Sequence, residues 1–427
     1  MDNLKLKNQT TKNIWIWNHY ATNTFFDRGG RHYWFAKYLL EAGYKPTIFC
    51  ASTVHNSDNK IEVETTYKLD EVDGIPYVFV KTPPYQGNGL SRLKNMYTFY
   101  RKLFAVSRSY AQKFSNPDLI LASSVHPLTL VAGIKVAKKF KIPCICEVRD
   151  LWPESLVAYD IIGKQSLIAK LLYKGEKWIY KKADKIVMTW PGGKQYIIDQ
   201  GWDSSIDLAK IEHISNGVVI SDFDNNAKLY SDLYKKSNDK YKDFIYTGSI
   251  RKVNNLSLLL DAAKLIQQRN QSIRFVIYGS GDELQSLEQR CKEEKIDNVI
   301  FKGRVPKHEV PSILSNSYAN VLHNSSTILD KYGQSQNKLF EYLAAGRPIL
   351  QTYKTGYSML DEHNCGISIS NQTAQNIADA VLFLSEDHAK ANEMGANARS
   401  VSYSYDFANL SKKLIKLINL ALEEKNR

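Results

Sequence analysis

Apolar residues follow two rhythms along this chain, short unbroken runs and longer stretches that repeat every three to four positions. The runs Asn13–Trp17, Pro46–Ala51, Leu119–Ala122, Pro143–Glu147 and Lys185–Thr189 predict strands buried on both faces. Between them, Tyr33–Ala42, stopped by Gly43, and Leu128–Phe140 carry a helical period. The run from Glu212 to Ile220 closes this half, and the polar residues 221–240, which hold no strand signal, read as a connection. The alternation then restarts with strand 243–247, helix 255–268, strand 273–278, helix 282–294, strand 297–301, helix 308–315 and strand 319–323. An amphipathic, Lys-rich stretch, Phe407–Leu422, predicts a last helix. Strands alternating with helices imply an α/β chain with parallel sheets, in two Rossmann-like halves.

Within the second half, residues 333–350 carry the most chemistry. A polar turn from Gly333 runs into a short helix from about Ser335 to Ala345, with Gly346 as its left-handed stop and Pro348 opening the next strand. On a helical period Leu339, Phe340 and Leu343 face inward, while Asn337, Lys338 and Glu341 share the other face. Free amides at the helix start favour an anion, with Lys338 beside them and Glu341 one turn on. Amides and an ammonium suit a diphosphate, and a carboxylate suits the paired hydroxyls of a ribose. The same local pattern fits a capped surface helix with an i,i+3 Lys–Glu pair.

Composition narrows the partners. The 427 residues are enough for two domains, and no apolar stretch approaches the length of a membrane span. Met1–Lys5 lacks the apolar core of a secretion signal, and five cysteines with no Cys-x-x-Cys pair point to a reduced, cytoplasmic setting. The formal charge of +13 favours an acidic partner. Nucleic acid would need a recognition module, and neither zinc-finger spacing nor an RNP-type aromatic motif is present. Residues 92–102, with Arg92, Lys94, Arg101 and Lys102 among Tyr97, Phe99 and Tyr100, read as a basic amphipathic helix suited to anionic lipid, or as a solvated helix face.

Turns after predicted strands supply the remaining candidates. Gly29 and Gly30, in Arg28-Gly-Gly-Arg31-His32, allow a backbone to approach a phosphate at a helix start, or simply make a tight turn. Gly248-Ser-Ile-Arg251-Lys252 follows the first strand of the second half and brings two cations to it. Gly279-Ser-Gly281 mimics a dinucleotide fingerprint whose third glycine is replaced by Leu284. His126 sits at a predicted strand end, as do Arg149, Asp150, Trp152 and Glu154 in Glu147-Val-Arg-Asp-Leu-Trp-Pro-Glu-Ser. Two carboxylates and a Trp suit sugar hydroxyls and a ring face, although a helix start with Pro in its first turn reads the same way. Asp222-Phe-Asp224 has an Asp-x-Asp form but lies in the connection, and no other metal-ligand cluster stands out.

Asn337-Lys-Leu-Phe-Glu-Tyr-Leu-Ala-Ala-Gly-Arg-Pro348 resembles the nucleotide-sugar motif of family-4 retaining glycosyltransferases. The likeness is closest to the bacterial O-antigen, capsule and exopolysaccharide branch that includes N-acetyl-fucosamine transferase-like proteins. It implies a GT-B architecture: two Rossmann-like domains facing a cleft, with the C-terminal helix packing back on the first. On that pattern residues 1–220 form the acceptor side, 221–240 the connector, 241–404 the donor side and 405–427 the returning helix. It also implies a metal-independent transferase with no cofactor beyond a UDP-linked nucleotide-sugar substrate, an N-acetylated sugar being one option, and a polyprenyl-diphosphate-linked acceptor at the inner face of the cell membrane. Glu341 matches the second Glu of the motif's Glu-x7-Glu and takes the ribose, whereas the first falls on Gly333. Ser335, Asn337 and Leu339 join the donor site, and the Gly29-Gly30 loop closes over the diphosphate or sugar. The family's Gly-Arg pair falls on Gly248-Ser249 and its Lys near Asn254, so Arg251 and Lys252 stand in to hold the diphosphate. The loops Gly279-Ser-Gly281 and Gly303-Arg304-Val305 border the uracil pocket, and Arg149 occupies a place where a sugar-touching His is common. A sugar-nucleotide 2-epimerase and a catalytically silent carbohydrate-binding subunit are the alternatives.

Overall fold

The computed structural model describes residues 11–54, 60–87, 89–234 and 240–426, so Met1–Lys5 and residues 235–239 of the expected connection lie outside the described residues. The chain divides into two units, Met1–Ile214 with Leu410–Arg427, and Ser215–Asn409. In the first, strands β1 (Asn13–Asn18), β2 (Lys45–Ala51), β3 (Tyr67–Val72), β4 (Ile75–Val80), β5 (Leu119–Ser123), β6 (Cys144–Val148), β7 (Lys185–Met188) and β8 (Ile211–His213) form one sheet. Their order is β3-β4-β2-β1-β5-β6-β7-β8. Ile14, Trp15, Ile16 and Trp17 are all buried, as an apolar run without alternation requires.

Every neighbouring pair is parallel except β3 and β4, a hairpin the apolar pattern does not predict. Most of β3 is exposed, so it leaves no hydrophobic run, and the hairpin turns on Asp73 and Gly74 at φ 50 and 77. The last helix, Phe407–Asn426, belongs to the first unit from Leu410 on. There Leu410, Leu414, Leu417, Ile418 and Ala421 are buried, Asn419 accepts from the Tyr44 hydroxyl at 2.6 Å, and Glu424 pairs with Lys185 at 2.7 Å.

The second unit holds β9 (Lys242–Thr247), β10 (Ile273–Tyr278), β11 (Val299–Gly303), β12 (Ala319–Leu322), β13 (Ile349–Gln351) and β14 (Gly366–Ser368). All pairs are parallel, in the order β11-β10-β9-β12-β13-β14. Chain direction across the sheet therefore reverses between β9 and β12, and the loops at their carboxyl ends flank the crevice where such sheets take ligands. The first unit has the same reversal between β1 and β5. Helices Ile220–Leu229 and Ser231–Tyr234 occupy the polar stretch after Val219, and Ile220 and Phe223 tie it to the core beside Leu339, Phe340 and Leu343.

Backbone meets backbone around the β9 and β10 loops. A Cβ on Gly279 would stand 1.8 Å from the Gly248 carbonyl oxygen, and one on Gly281 would stand 2.0 Å from that of Ile250. Gly281→Ala is therefore expected to destabilise the second unit by roughly 3 kcal/mol, read as a lower denaturant midpoint. An unchanged midpoint would contradict the close approach.

Candidate functional site

The helix Asn337–Ala344 is held from its buried face. Leu339, Phe340, Tyr342 and Leu343 sit in the apolar core, and the Tyr342 hydroxyl accepts from the Thr247 amide at 3.1 Å, pinning the helix to the end of β9. Gly346 ends it at φ 64. The opposite face leaves Asn337 exposed and Lys338 and Glu341 half-buried. Lys338 Nζ lies 4.6 Å from the centroid of the Tyr246 ring, and desolvation brings the ammonium down to a pKa of about 8. Desolvation raises the Glu341 carboxyl, with Lys307 opposing. Among the described residues Lys338 and Glu341 pair neither with each other nor with any other charge, so a solvated i,i+3 pair does not describe them. The amides of Asn337 and Lys338 likewise find no acceptor among the described residues. A cation and two orphan donors thus stand together at the β9–β12 reversal.

The neighbouring loops are zipped to one another. Gly248 and Ile250 amides donate to Tyr278 and Ser280 carbonyls at 3.0 and 2.9 Å, and the Gly279 amide donates to Gly303 at 2.8 Å. These glycine amides are spent inside the protein, and Gly281 is dictated by its approach to Ile250. Asn254 donates to the Ser249 carbonyl at 2.6 Å and to its hydroxyl at 2.9 Å, fixing the turn before Arg251 and Lys252. Both cations are exposed, with no ion-pair partner among the described residues; Arg304 is also exposed, while Val305 packs against the core. Ser335 is engaged: its hydroxyl accepts from the Asn216 amide at 2.7 Å and its carbonyl from Asn216 Nδ2 at 2.6 Å. Leu339 is a core residue, and its amide donates to Gln336.

In the first unit Gly30, at φ 91, precedes the helix Arg31–Glu41, and Gly29 lies beside it. Arg31 turns inward: its guanidinium meets Glu147 at 2.7 Å and the Ile214 carbonyl at 2.8 Å. The Ser123 hydroxyl donates to the other Glu147 oxygen at 2.7 Å, and His32 Nε2 lies 2.9 Å from that hydroxyl. Burial alone would raise Glu147, but Arg31 and His32 hold it well below the usual carboxylate range. An Arg directly after a glycine pair and a Glu inside an apolar strand are the sequence signals for this network, but nothing local joins them. His126 is buried, its Nε2 2.8 Å from His19 Nδ1, and burial lowers its pKa to about 3. Arg149 donates its amide to Ser124 and accepts from Trp190 Nε1 at 3.1 Å. Trp152 is anchored through Nε1 to the Val125 carbonyl, and Asp150 keeps an exposed edge. Glu154 is buried, and its carboxylate is engaged inside the protein by Tyr173, by Gln200 at 3.3 Å and by Lys164 at 3.6 Å. Among the described residues no group of three His, Cys, Asp or Glu is placed to hold a metal, and Asp224 pairs with Arg399 at 2.6 Å.

A family model for Glycosyl transferases group 1 matches residues 234–401, and one for Glycosyltransferase Family 4 matches residues 33–222. The solved structure of HepE from Anabaena in complex with UDP aligns with a TM-score of 0.68 at 13% identity, covering 96% of this chain and 100% of that one. The fold is that of the GT-B glycosyltransferases, and each half of the chain matches a glycosyltransferase family model. It is 23% identical over 256 residues to the poly(ribitol-phosphate) alpha-N-acetylglucosaminyltransferase of Staphylococcus aureus, covering 58% of this chain and 46% of that protein. Over 161 residues it is 29% identical to the GDP-mannose-dependent alpha-(1-6)-phosphatidylinositol monomannoside mannosyltransferase of Mycobacterium tuberculosis, covering 36% and 42% of the two chains. The chain thus spans less than half the length of these two relatives.

Gly333 holds φ 86 at the position where the resembling motif carries its first Glu, so a side chain there would be strained. The flanking amides are also committed: Gln334 donates to Gln351 at 2.5 Å, and Gln336 donates to Asn324 and Tyr353 at 2.8 Å each. Lys338 carries its own penalty. Its native pKa of about 8 lies below the ordinary 10.5, so the unfolded chain binds that proton more tightly. The destabilisation is complete below pH 8 and fades as pH climbs toward 10.5. Lys338→Met is therefore expected to raise stability at pH 7 by roughly 2–3 kcal/mol, with the gain shrinking across that window. A gain of zero, or one independent of pH, would contradict a desolvated ammonium.

Proposed function

We propose that this chain is a retaining, metal-independent glycosyltransferase that moves a sugar, an N-acetylated one being a candidate, from a UDP-linked donor to a lipid-linked saccharide in cell-surface polysaccharide synthesis. The observation that carries the reading is the unneutralised Lys338 ammonium beside the orphan amides of Asn337 and Lys338, at the reversal of a parallel sheet. Those groups would take the diphosphate, and Glu341, one turn on, the ribose hydroxyls. Arg251 and Lys252 would add mobile positive charge from the β9 loop. UDP in the HepE structure supports a uridine donor, while the GDP-mannose-dependent relative makes guanosine the competing choice.

With no carboxylate at Gly333, the chemistry consistent with these residues is front-side displacement. The acceptor hydroxyl oxygen attacks the anomeric carbon as the bond to the β-phosphate oxygen breaks, and that departing oxygen takes the hydroxyl proton. Lys338 and the helix amides stabilise the charge that develops on the leaving diphosphate, where preorganised donors act most strongly. The acceptor side would lie in the first unit around His126, Arg149, Asp150 and Trp152. No helix among the described residues is long and apolar enough to cross a membrane. The basic helix Leu90–Lys113, with Leu90, Leu93 and Tyr97 exposed, supports peripheral attachment to the inner membrane face. The Gly333 departure favours one other reading, a catalytically silent carbohydrate-binding subunit.

UDP at about 100 times its dissociation constant should stabilise the protein by roughly 2.7 kcal/mol, and GDP by less. Lys338→Ala and Glu341→Ala should each lower turnover at least tenfold, about 1.4 kcal/mol. Unchanged rates with a matched donor would remove this helix from the site, and nucleotide binding without turnover of any donor would favour the silent subunit.

A further inference from the structure

An apolar cavity of about 200 Å³ opens in the first unit among the helices Pro127–Phe140, Trp152–Ala158 and Leu167–Lys182. Its walls include Leu128, Val131, Val148, Trp152, Leu171 and Trp178. An apolar cavity of about 150 Å³ stays dry and admits benzene, so this one has room for a somewhat longer hydrocarbon segment. Leu171 and Trp178 line the cavity and yet are 71% and 37% exposed, which puts its mouth on the outer face of Leu167–Lys182. The apolar surface continues past the mouth with Leu167, 84% exposed, and Ile168, 62% exposed. Contiguous exposed aliphatic surface of this kind marks a contact site.

Charge says what covers it. Lys170, Lys174, Lys181 and Lys182 are all exposed on the same helix, among the large apolar side chains. Aliphatic side chains with interleaved lysines and a Trp at the rim match an interface between hydrocarbon and phosphate, whereas a water-facing helix would not carry the first and a buried protein interface would disfavour the second. Asp150 and Trp152, candidate acceptor residues, line the inner part of the same cavity. A chain seated here would enter beside the carboxyl ends of β5 and β6.

We propose that this cavity seats the hydrocarbon chain of a lipid phosphate, delivered from an anionic membrane surface on which the outer face of Leu167–Lys182 rests. The inference deepens the lipid-linked acceptor reading and rests on it, and it assigns to the chain a place that none of the sugar-handling residues provides.

Gly175 gives the test. It lines the cavity, and a Cβ built on it meets nothing within 4 Å. Gly175→Leu therefore introduces a side chain at the mouth without a clash, and exchanging a mid-helix Gly for Leu favours the helix. Farnesyl phosphate and dodecyl phosphate, each below its micellar concentration, are titrated while tryptophan fluorescence is followed, since Trp152 and Trp178 line the site. Saturable change is expected with both in the unaltered protein, at least tenfold weaker in Gly175→Leu, and absent with inorganic phosphate; the stronger of the two ligands tells an isoprenoid from a straight chain. No saturable change, equal binding by Gly175→Leu, or a response to inorganic phosphate alone would overturn the inference. A UDP thermal shift on the same samples separates the two claims: a shift without chain binding overturns only the cavity assignment, and its absence counts against the nucleotide reading.

Discussion

An ammonium held over an aromatic ring, with no carboxylate among the described residues to neutralise it, is the constraint around which the second unit is arranged. The half-buried position beside Tyr246 strips part of the hydration of the Lys338 ammonium, and no charge partner among the described residues replaces it, so its pKa falls to about 8. That position exists because Tyr342 is fastened to Thr247 and because Leu339, Phe340 and Leu343 leave the helix one orientation only. Such a charge weakens the folded state, and on the proposed reading a bound diphosphate would offset that cost. The same desolvation that penalises the free lysine strengthens its attraction for a diphosphate.

The first unit solves its electrostatics in the opposite way. Glu147 lies fully buried in β6, and Arg31, His32 and Ser123 answer it. Because Arg31 directly follows Gly30, this pair fixes the glycine turn to the ends of β5 and β6. A buried pair of this kind adds little net stability over an apolar replacement, while removing one partner leaves a stranded charge. Its contribution is to position the loop. One unit therefore neutralises its buried carboxylate at its sheet reversal, and the other leaves a cation without a charge partner among the described residues.

Much of this was legible in the chain. Unbroken runs such as Ile14–Trp17 marked parallel strands because burial on both faces removes the polar alternation. The helical period placed Leu339 and Phe340 inward and Lys338 and Glu341 outward, as found. The hairpin Tyr67–Val80 escaped because one of its strands is solvent-exposed and its turn rests on two positive φ values. Partners distant in sequence also escaped: Ser335 with Asn216, Glu154 with Tyr173 and Gln200, and Arg31 with Glu147 meet only once the sheets are closed. Periodicity reports which way a side chain points. It does not report who is waiting there.

The most direct test of the uncompensated lysine is a count of protons. UDP binding is measured calorimetrically at pH 8 in two buffers of different ionisation enthalpy, for the unaltered protein and for Lys338→Met. With the free ammonium titrating near pH 8, closing a diphosphate onto it should draw about half a proton from the buffer, and the variant should draw none. Binding with no proton uptake, or with the same uptake in both proteins, would contradict the account.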